Sequence, residues 1–307
     1  MDFSIYLPVA GSSVSMWVLL ALGGVVGFLS GLFGVGGGFL MTPLLIMIGI
    51  PPTVAAASDS NQIVAASSSG TYAHARAGSV DFRMGTLLLL GGLVGGSVGV
   101  YFIKLLRALG NADFVITVTY VVMLGGIGSY MFVESLRSMR VDRRVRREEP
   151  RPSLYARLVG RLPWKIDFPR SRVELSLLMP LALGFLVGTL AAIMGVGGGF
   201  IMVPVMVYLL RMPMHVVVGT SLFQILFTCV NVTVLQATMN RTVDFVLALF
   251  LLIGSVVGAQ IGAQASKRLK ADQLKILMAV IVLAVTTKML LGLMLPPHSL
   301  LTYAGGH

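Results

Sequence analysis

The chain has 307 residues, of which 56% are hydrophobic and only 11% charged, and it carries a net charge of +11. A soluble chain has roughly a quarter of its residues charged, so this composition, with a mean hydropathy of +0.90, excludes an ordinary soluble domain and makes the bilayer the solvent. The single cysteine, Cys229, excludes disulfides within the chain, argues against cysteine-based metal sites and is expected to pack in the interior.

In chain order, residues 1–15 (MDFSIYLPVAGSSVS) lack the basic start of a cleaved signal and are read as part of the mature chain. Apolar runs follow at 16–33, 54–72, 84–106, 114–133, 175–194, 216–239, 245–265 and 274–295. Each is roughly 18 residues or longer, enough for a helix to cross ~30 Å of hydrocarbon. They are apolar on every side and lack the alternation of a barrel strand. Two further stretches, 39–50 and 200–210, are too short to cross comfortably at ~1.5 Å per residue. By length they are half-helices.

The expected fold is therefore an all-α polytopic membrane protein, and it is duplicated. GLFGVGGGFLMTP at 31–43 returns as AIMGVGGGFIMVP at 192–204. Gly27 matches Gly188, Gly34 to Phe39 match Gly195 to Phe200, and Pro43 matches Pro204. With one or two residues of drift, Pro51 aligns with Pro213, Gln62 with Gln224, and Val80-Asp81-Phe82 with Val243-Asp244-Phe245. Gly91, Gly95 and Gly99 align with Gly254, Gly258 and Gly262, and Lys104 with Lys267. Self-similarity at a nearly fixed offset marks an internal repeat. It divides the chain into a first transmembrane repeat (1–136), a basic loop (137–172) and a second transmembrane repeat (173–307).

The loop holds twelve Arg and Lys against four Asp and Glu, a net +8 of the chain's +11. Next to spanning helices a short basic loop marks the cytoplasmic side, which we prefer to a nucleic-acid site; anionic lipid headgroups are compatible partners. Counting crossings from a cytoplasmic loop puts both termini in the periplasm, with each half changing sides an odd number of times whether its short pair crosses or re-enters. Arg76, Arg83, Lys267, Arg268 and Lys270 then fall inside, whereas Lys104, Arg107 and Arg241 fall outside, against the rule. An odd count makes the halves inverted-topology repeats, each with a Gly-broken short helix pair plus three spanning helices. That organisation is a hallmark of secondary transporters.

The glycines admit two uses. Gly23, Gly27, Gly31, Gly91, Gly95, Gly99, Gly254, Gly258 and Gly262, spaced by four, suit close helix packing. Three consecutive glycines are different, because each weakens a helix by about 1 kcal/mol relative to alanine. GVGGG followed by a short helix, twice and in opposite orientations, is expected to aim two helix N-termini at each other near the membrane centre, their free N–H groups and partial positive charge cradling an anion. The candidate ligand-binding residues are Gly36, Gly37, Gly38 and Phe39 with Gly197, Gly198, Gly199 and Phe200. Gln62 and Gln224 are either donors to the same anion or bonds between helices.

Among the other polar residues in the runs, Asp59 is either a helix cap or a site of proton or cation coupling. Lys288, after Thr286 and Thr287, is either a buried counter-charge or a side chain snorkelling to an interface. Asp81 and Asp244 are expected to cap their helices. His74, His215, His298 and His307 lack the company of a metal site and are expected at the surface. No Ser-His-Asp or paired-carboxylate arrangement supports enzyme chemistry, and no cofactor is expected.

With the doubled GVGGGF…P motif in a duplicated helical chain, the sequence resembles the sulfite exporter TauE/SafE family, also grouped with the toluene sulfonate uptake permeases. The resemblance covers nearly the whole chain except the basic loop, which is longer and more charged than the family pattern. It implies a multi-pass transporter of the bacterial inner membrane that moves sulfite, sulfoacetate or other organosulfonates, often outward. The alternatives are a passive anion channel, or a membrane scaffold whose glycines merely pack.

Overall fold

Backbone that has no water to bond must close its hydrogen bonds internally, and long apolar runs do so as helices. A computed structural model describes residues 4–33, 38–140, 165–171, 173–210, 212–266 and 271–294. In the first half an antiparallel hairpin, β1 (Ser4–Leu7) and β2 (Ser12–Ser15), pairs Ser4 with Ser15. It leads into α1 (Met16–Phe33), α2 (Gly38–Met47), α3 (Pro52–Arg76), α4 (Phe82–Ala108) and α5 (Ala112–Arg140). In the second half β3 (Lys165–Phe168) and β4 (Val173–Ser176) pair Lys165 with Ser176 and lead into α6 (Leu178–Met194). The short α7 (Gly199–Pro204) continues as a π turn (Val205–Leu209), and α8 (Met214–Leu235) likewise ends in one (Gln236–Asn240). The last helices are α9 (Phe245–Ser266) and α10 (Ala271–Met294).

All eight expected spans fall on helices, and the two half-length stretches fall on α2 and on α7 with its π turn. Three details differ from expectation. Among the described residues four helices are long and apolar enough to cross a membrane by themselves: Phe82–Ala108, Ala112–Val133, Val216–Asn240 and Phe245–Gly262. α3 is longer than most but is not one of them, because SDSNQ and SSSGT dilute its hydropathy; it hides Ser58, Asp59, Ser60, Gln62 and Ser67 in the interior instead. The run expected from 175 becomes helical only at Leu178, since residues 173–176 are spent on the hairpin, and that hairpin straddles position 172. The two hairpins also make the fold mostly, not wholly, helical.

The halves are interleaved. α1 packs along α9 and α4 along α6, so the first long helix of each half lies against the fourth of the other; α3 meets α8 and α5 meets α10 across the same divide. Seven of the spaced glycines, Gly23, Gly27, Gly91, Gly95, Gly99, Gly254 and Gly258, do the packing assigned to them. A methyl group on Gly27 would run into the Ser255 carbonyl oxygen, and one on Gly258 into that of Gly24; on the other side Gly95 abuts the Phe185 carbonyl and Gly184 that of Leu88. Backbones this close gain dispersion contacts that a larger residue would forbid.

Asp81 and Asp244 cap their helices as expected, through Met84 N–H to Asp81 Oδ1 at 3.1 Å and Leu247 N–H to Asp244 Oδ1 at 3.1 Å. Each does more with its second oxygen. Asp81 Oδ2 accepts from Ser171 N–H (3.1 Å) and Ser171 Oγ (2.5 Å) in the second half's hairpin, while Asp244 Oδ2 accepts from Val9 N–H (3.0 Å) and Ala10 N–H (3.4 Å) in the first half's. Their own N–H groups donate to Thr220 Oγ1 and Ser58 Oγ, again across the halves, both at 3.0 Å.

The outer faces are greasy. Leu90, Val94 and Val98 of α4 and Leu249, Ile253, Val257 and Ile261 of α9 are exposed, a surface that a monomer in water could not carry. This is a multi-pass membrane protein.

Candidate functional site

The second glycine break is buried along its whole length, residues 191–201. α6 stops because Gly195 turns left-handed, φ 71°, with its N–H returned to Ala191 O at 2.7 Å. Gly197 (φ 69°) and Gly198 (φ 79°) continue in the same region, which L side chains avoid. Gly198 then caps α7, its carbonyl accepting from Ile201 N–H (3.1 Å) and Met202 N–H (2.7 Å). Helix geometry leaves the N–H groups of Gly199 and Phe200 without an acceptor in their own helix.

The carbonyl groups freed at the α6 end are covered by side chains from elsewhere. Tyr120 Oη of α5 donates to Met194 O, and Ser60 Oγ of α3 donates to Gly195 O at 3.3 Å. A buried peptide group left without such a partner would cost about 2–7 kcal/mol.

Of the first break, Gly34, Gly36 and Gly37 lie outside the described residues. Gly38 and Phe39 open α2 and are buried. The Phe39 and Phe200 rings stack, centroids 4.7 Å apart and planes at 11°, so the first turns of the two short helices lie side by side. Ile63 of α3 touches both breaks: a methyl group on Gly38 would run into its Cδ1, and one on Gly197 would sit 3.0 Å from its Cγ2 and 2.7 Å from Cys229 Sγ. Cys229 is buried, as expected.

Gln62 and Gln224 are both buried, each with its Oε1 lacking a partner. Gln224 Nε2 donates to Thr228 Oγ1 at 3.0 Å and lies against α4 at Gly92. Asp59 is fully buried; its Oδ2 accepts from Thr42 Oγ1 of α2 at 2.9 Å, and its Oδ1 has no partner. It is not the cap of α3, lying two turns in from Pro52. Lys288 is exposed on α10 and is not brought to this cluster. His74 is half-buried with Nδ1 3.1 Å from Ser79 Oγ; the His215 side chain, His298 and His307 lie outside what is described. Among the described residues no group of three His, Cys, Asp or Glu gathers to hold a metal.

Thr42, Ser60, Ile63 and Tyr120 are the members that sequence reasoning missed. Only Thr42 carried a signal, as the lone hydroxyl of the apolar stretch 39–50, whereas Tyr120 stands among Thr117, Thr119, Ser129 and Tyr130. Chemically, the breaks offer N–H groups at helix starts and hydroxyls, with the Asp59 carboxyl beside the start of α2 and two neutral amides buried on α3 and α8. Such a set holds an oxyanion by hydrogen bonds rather than by an ion pair.

A family model described as "Sulfite exporter TauE/SafE" matches residues 19–289. The chain is 27% identical over 272 residues to a probable membrane transporter protein, YjnA, of Bacillus subtilis (strain 168), covering 89% of this chain and 98% of that protein. It is 26% identical over 261 residues to a probable membrane transporter protein of Xylella fastidiosa (strain 9a5c), covering 84% of this chain and 88% of that protein. A shorter match, 34% identical over 107 residues, covers 34% of this chain and 23% of the Arabidopsis thaliana "Sulfite exporter TauE/SafE family protein 1". No solved structure matches the chain.

Proposed function

Because the chain belongs to the sulfite exporter TauE/SafE family, a family of membrane transporters, we propose that it carries small sulfur-containing anions, sulfite, sulfoacetate or other organosulfonates, across the bacterial inner membrane, outward when the solute has accumulated inside. The observation that carries this reading is the meeting of two glycine-broken helix starts at the stacked Phe39 and Phe200. The anion is held by backbone N–H groups of Gly36 to Phe39 and Gly197 to Phe200. Two partial dipole charges suit a weakly held monoanion that must also leave.

Gln62 and Gln224 are the side-chain donors. For Gln224 this asks for a half-turn of the amide, so that Thr228 Oγ1 donates to Oε1 and the NH2 group is released. The two halves work as inverted repeats in alternating access, with the basic loop 137–172 cytoplasmic and resting on anionic lipid. Support comes from the exchange of contacts between halves: α1 with α9 and α6 with α4, Asp81 with the second hairpin and Asp244 with the first.

The test is counterflow in proteoliposomes with radiolabelled sulfite, sulfoacetate and methanesulfonate. A carrier gives saturable exchange stimulated by unlabelled anion on the opposite side. A channel gives fast flux without that stimulation, and a scaffold gives none; either result defeats the proposal.

A further inference from the structure

Asp59 has no acidic counterpart. The offset that pairs Gln62 with Gln224 pairs Ser58 with Thr220 and Asp59 with Ser221. Ser58 and Thr220 do the same job, each accepting the N–H of a capping aspartate, so the alignment holds at this turn and the acid itself is the departure. One half of a duplicated protein has placed a carboxyl where the other has a hydroxyl.

The carboxyl sits beside the start of α2. Thr42, one turn in from Gly38, donates to Oδ2, and a methyl group on Gly38 would lie 3.3 Å from the same oxygen. Oδ1 is buried and unpartnered. On α5, Asp113 spends its carboxylate on the Thr53 N–H at the start of α3, and the other ionisable neighbours are Tyr120 from α5 and Cys229 from α8. Neither is a cation at neutral pH. From α2, α6, α7 and α9, and from residues 34–37, the sequence brings no ionisable side chain; Asp244 lies next to Ser58 but spends its carboxylate on Val9, Ala10 and Leu247. His74 and Arg76 are at the far end of the same helix, α3. Among the described residues a negative charge on Asp59 meets no cation; it has the Thr42 hydroxyl and lies beside the start of α2, whose free N–H groups are the ones an incoming anion would use.

We propose that Asp59 is a proton-binding site that takes up one proton as an anion arrives and gives it back when the anion leaves. This rests on the transport reading above. With the cradle empty, ionised Asp59 serves as a tethered anion for the α2 start. A second anion within about 4 Å of it would bind roughly a hundred- to a thousandfold more weakly than to the neutral acid at an effective dielectric of ~20, so occupancy and protonation rise together. The proton comes from water in the compartment to which the site is open and adds to Oδ1, while Oδ2 keeps its bond from Thr42. When the site faces the other compartment, anion and proton both return to water. The cluster suits a proton better than a metal ion, since Asp59 is joined only by one hydroxyl and is walled by Ile63 and Gly38. Transport of a monoanion is then electroneutral, and an accumulated product leaves whenever its own gradient exceeds the opposing proton gradient.

The test uses the full chain in proteoliposomes with methanesulfonate and sulfite as probes. An imposed pH difference of ~1 unit should drive about tenfold accumulation of methanesulfonate on the alkaline side, with no response to a potassium diffusion potential or to a sodium gradient. D59N, and D59S, which copies Ser221, should still exchange the anion, at a rate no longer dependent on pH, and should become sensitive to the membrane potential. Infrared difference spectra on adding methanesulfonate should gain a carboxylic-acid band in wild type that D59N lacks. Flux without proton dependence, a sodium-driven flux, or proton-driven accumulation by D59N would overturn this assignment and leave the transport reading standing. Absence of any flux of either anion would overturn both.

Discussion

Phe39 and Phe200, equivalent residues of the two halves, stack on one another with ring centroids 4.7 Å apart. A residue meeting its own counterpart marks the place where the halves meet, and both rings stand at the second position of a short helix. Aromatic pairs of this kind are worth about 0.5–1.5 kcal/mol beyond the area they bury. Truncating either ring to alanine should cost about 3–5 kcal/mol, and the double variant should cost about 1 kcal/mol less than the two singles together. Reversible unfolding in mixed micelles measures the cycle; strictly additive losses would mean that the rings do not cooperate.

Glycine matters unequally along the chain. Gly95→Leu drives a side chain into the Phe185 backbone, so α4 and α6 must part, and the loss should reach or exceed about 1–3 kcal/mol. Gly126, on α5, has nothing within 4 Å of a methyl group, so Gly126→Ala should be neutral or raise stability by up to ~1 kcal/mol. Thermal unfolding followed by size-exclusion chromatography ranks the two.

The capping aspartates predict an effect that crosses the chain. Asp81→Ala removes the α4 cap, costing about 1 kcal/mol, and also releases Ser171. Amide hydrogen exchange should quicken around the β3–β4 turn and stay unchanged in β1 and β2. Asp244→Ala should do the reverse, freeing Val9 and Ala10. Faster exchange confined to the mutated half would contradict the cross-attachment.

Cys229 is the natural probe of the interior. It lies against the Gly197 turn and has almost no exposed surface. Alkylation by a membrane-permeant maleimide should be slow in the folded protein, and sodium dodecyl sulfate should restore rapid labelling. Rapid labelling of the folded protein in its anion-free state would mean that the packing around this turn is looser than described.

The breaks themselves were legible because three successive glycines are a local cost with no local gain, and the structure puts left-handed backbone at Gly197 and Gly198. The spans were legible from length and hydropathy, and the packing glycines from their spacing. What stayed hidden was non-local. SIYLPVAGSSVS gives no hint that Asp244, more than 230 positions away, holds its turn. Nor does anything near Met194 announce that Tyr120 covers its carbonyl. The polar stretch in α3 was legible as a source of candidate ligand and coupling residues, Gln62 and Asp59, and burial shows why it can be polar at all: the rest of the protein, rather than lipid, surrounds it. The capping role of Asp81 and Asp244 followed from sequence; their second attachment needed the other half to be present.

The pairing of α1 with α9 sets a timetable for synthesis. Gly27 waits 228 positions for Ser255, which at ~5–20 residues per second is roughly 10–45 s of elongation. During that interval the first helix stands in the translocon or the lipid without its groove filled, and α4 has its own mate, α6, long before. The nascent chain must therefore assemble from the middle outward, with its earliest membrane segment docked among the last.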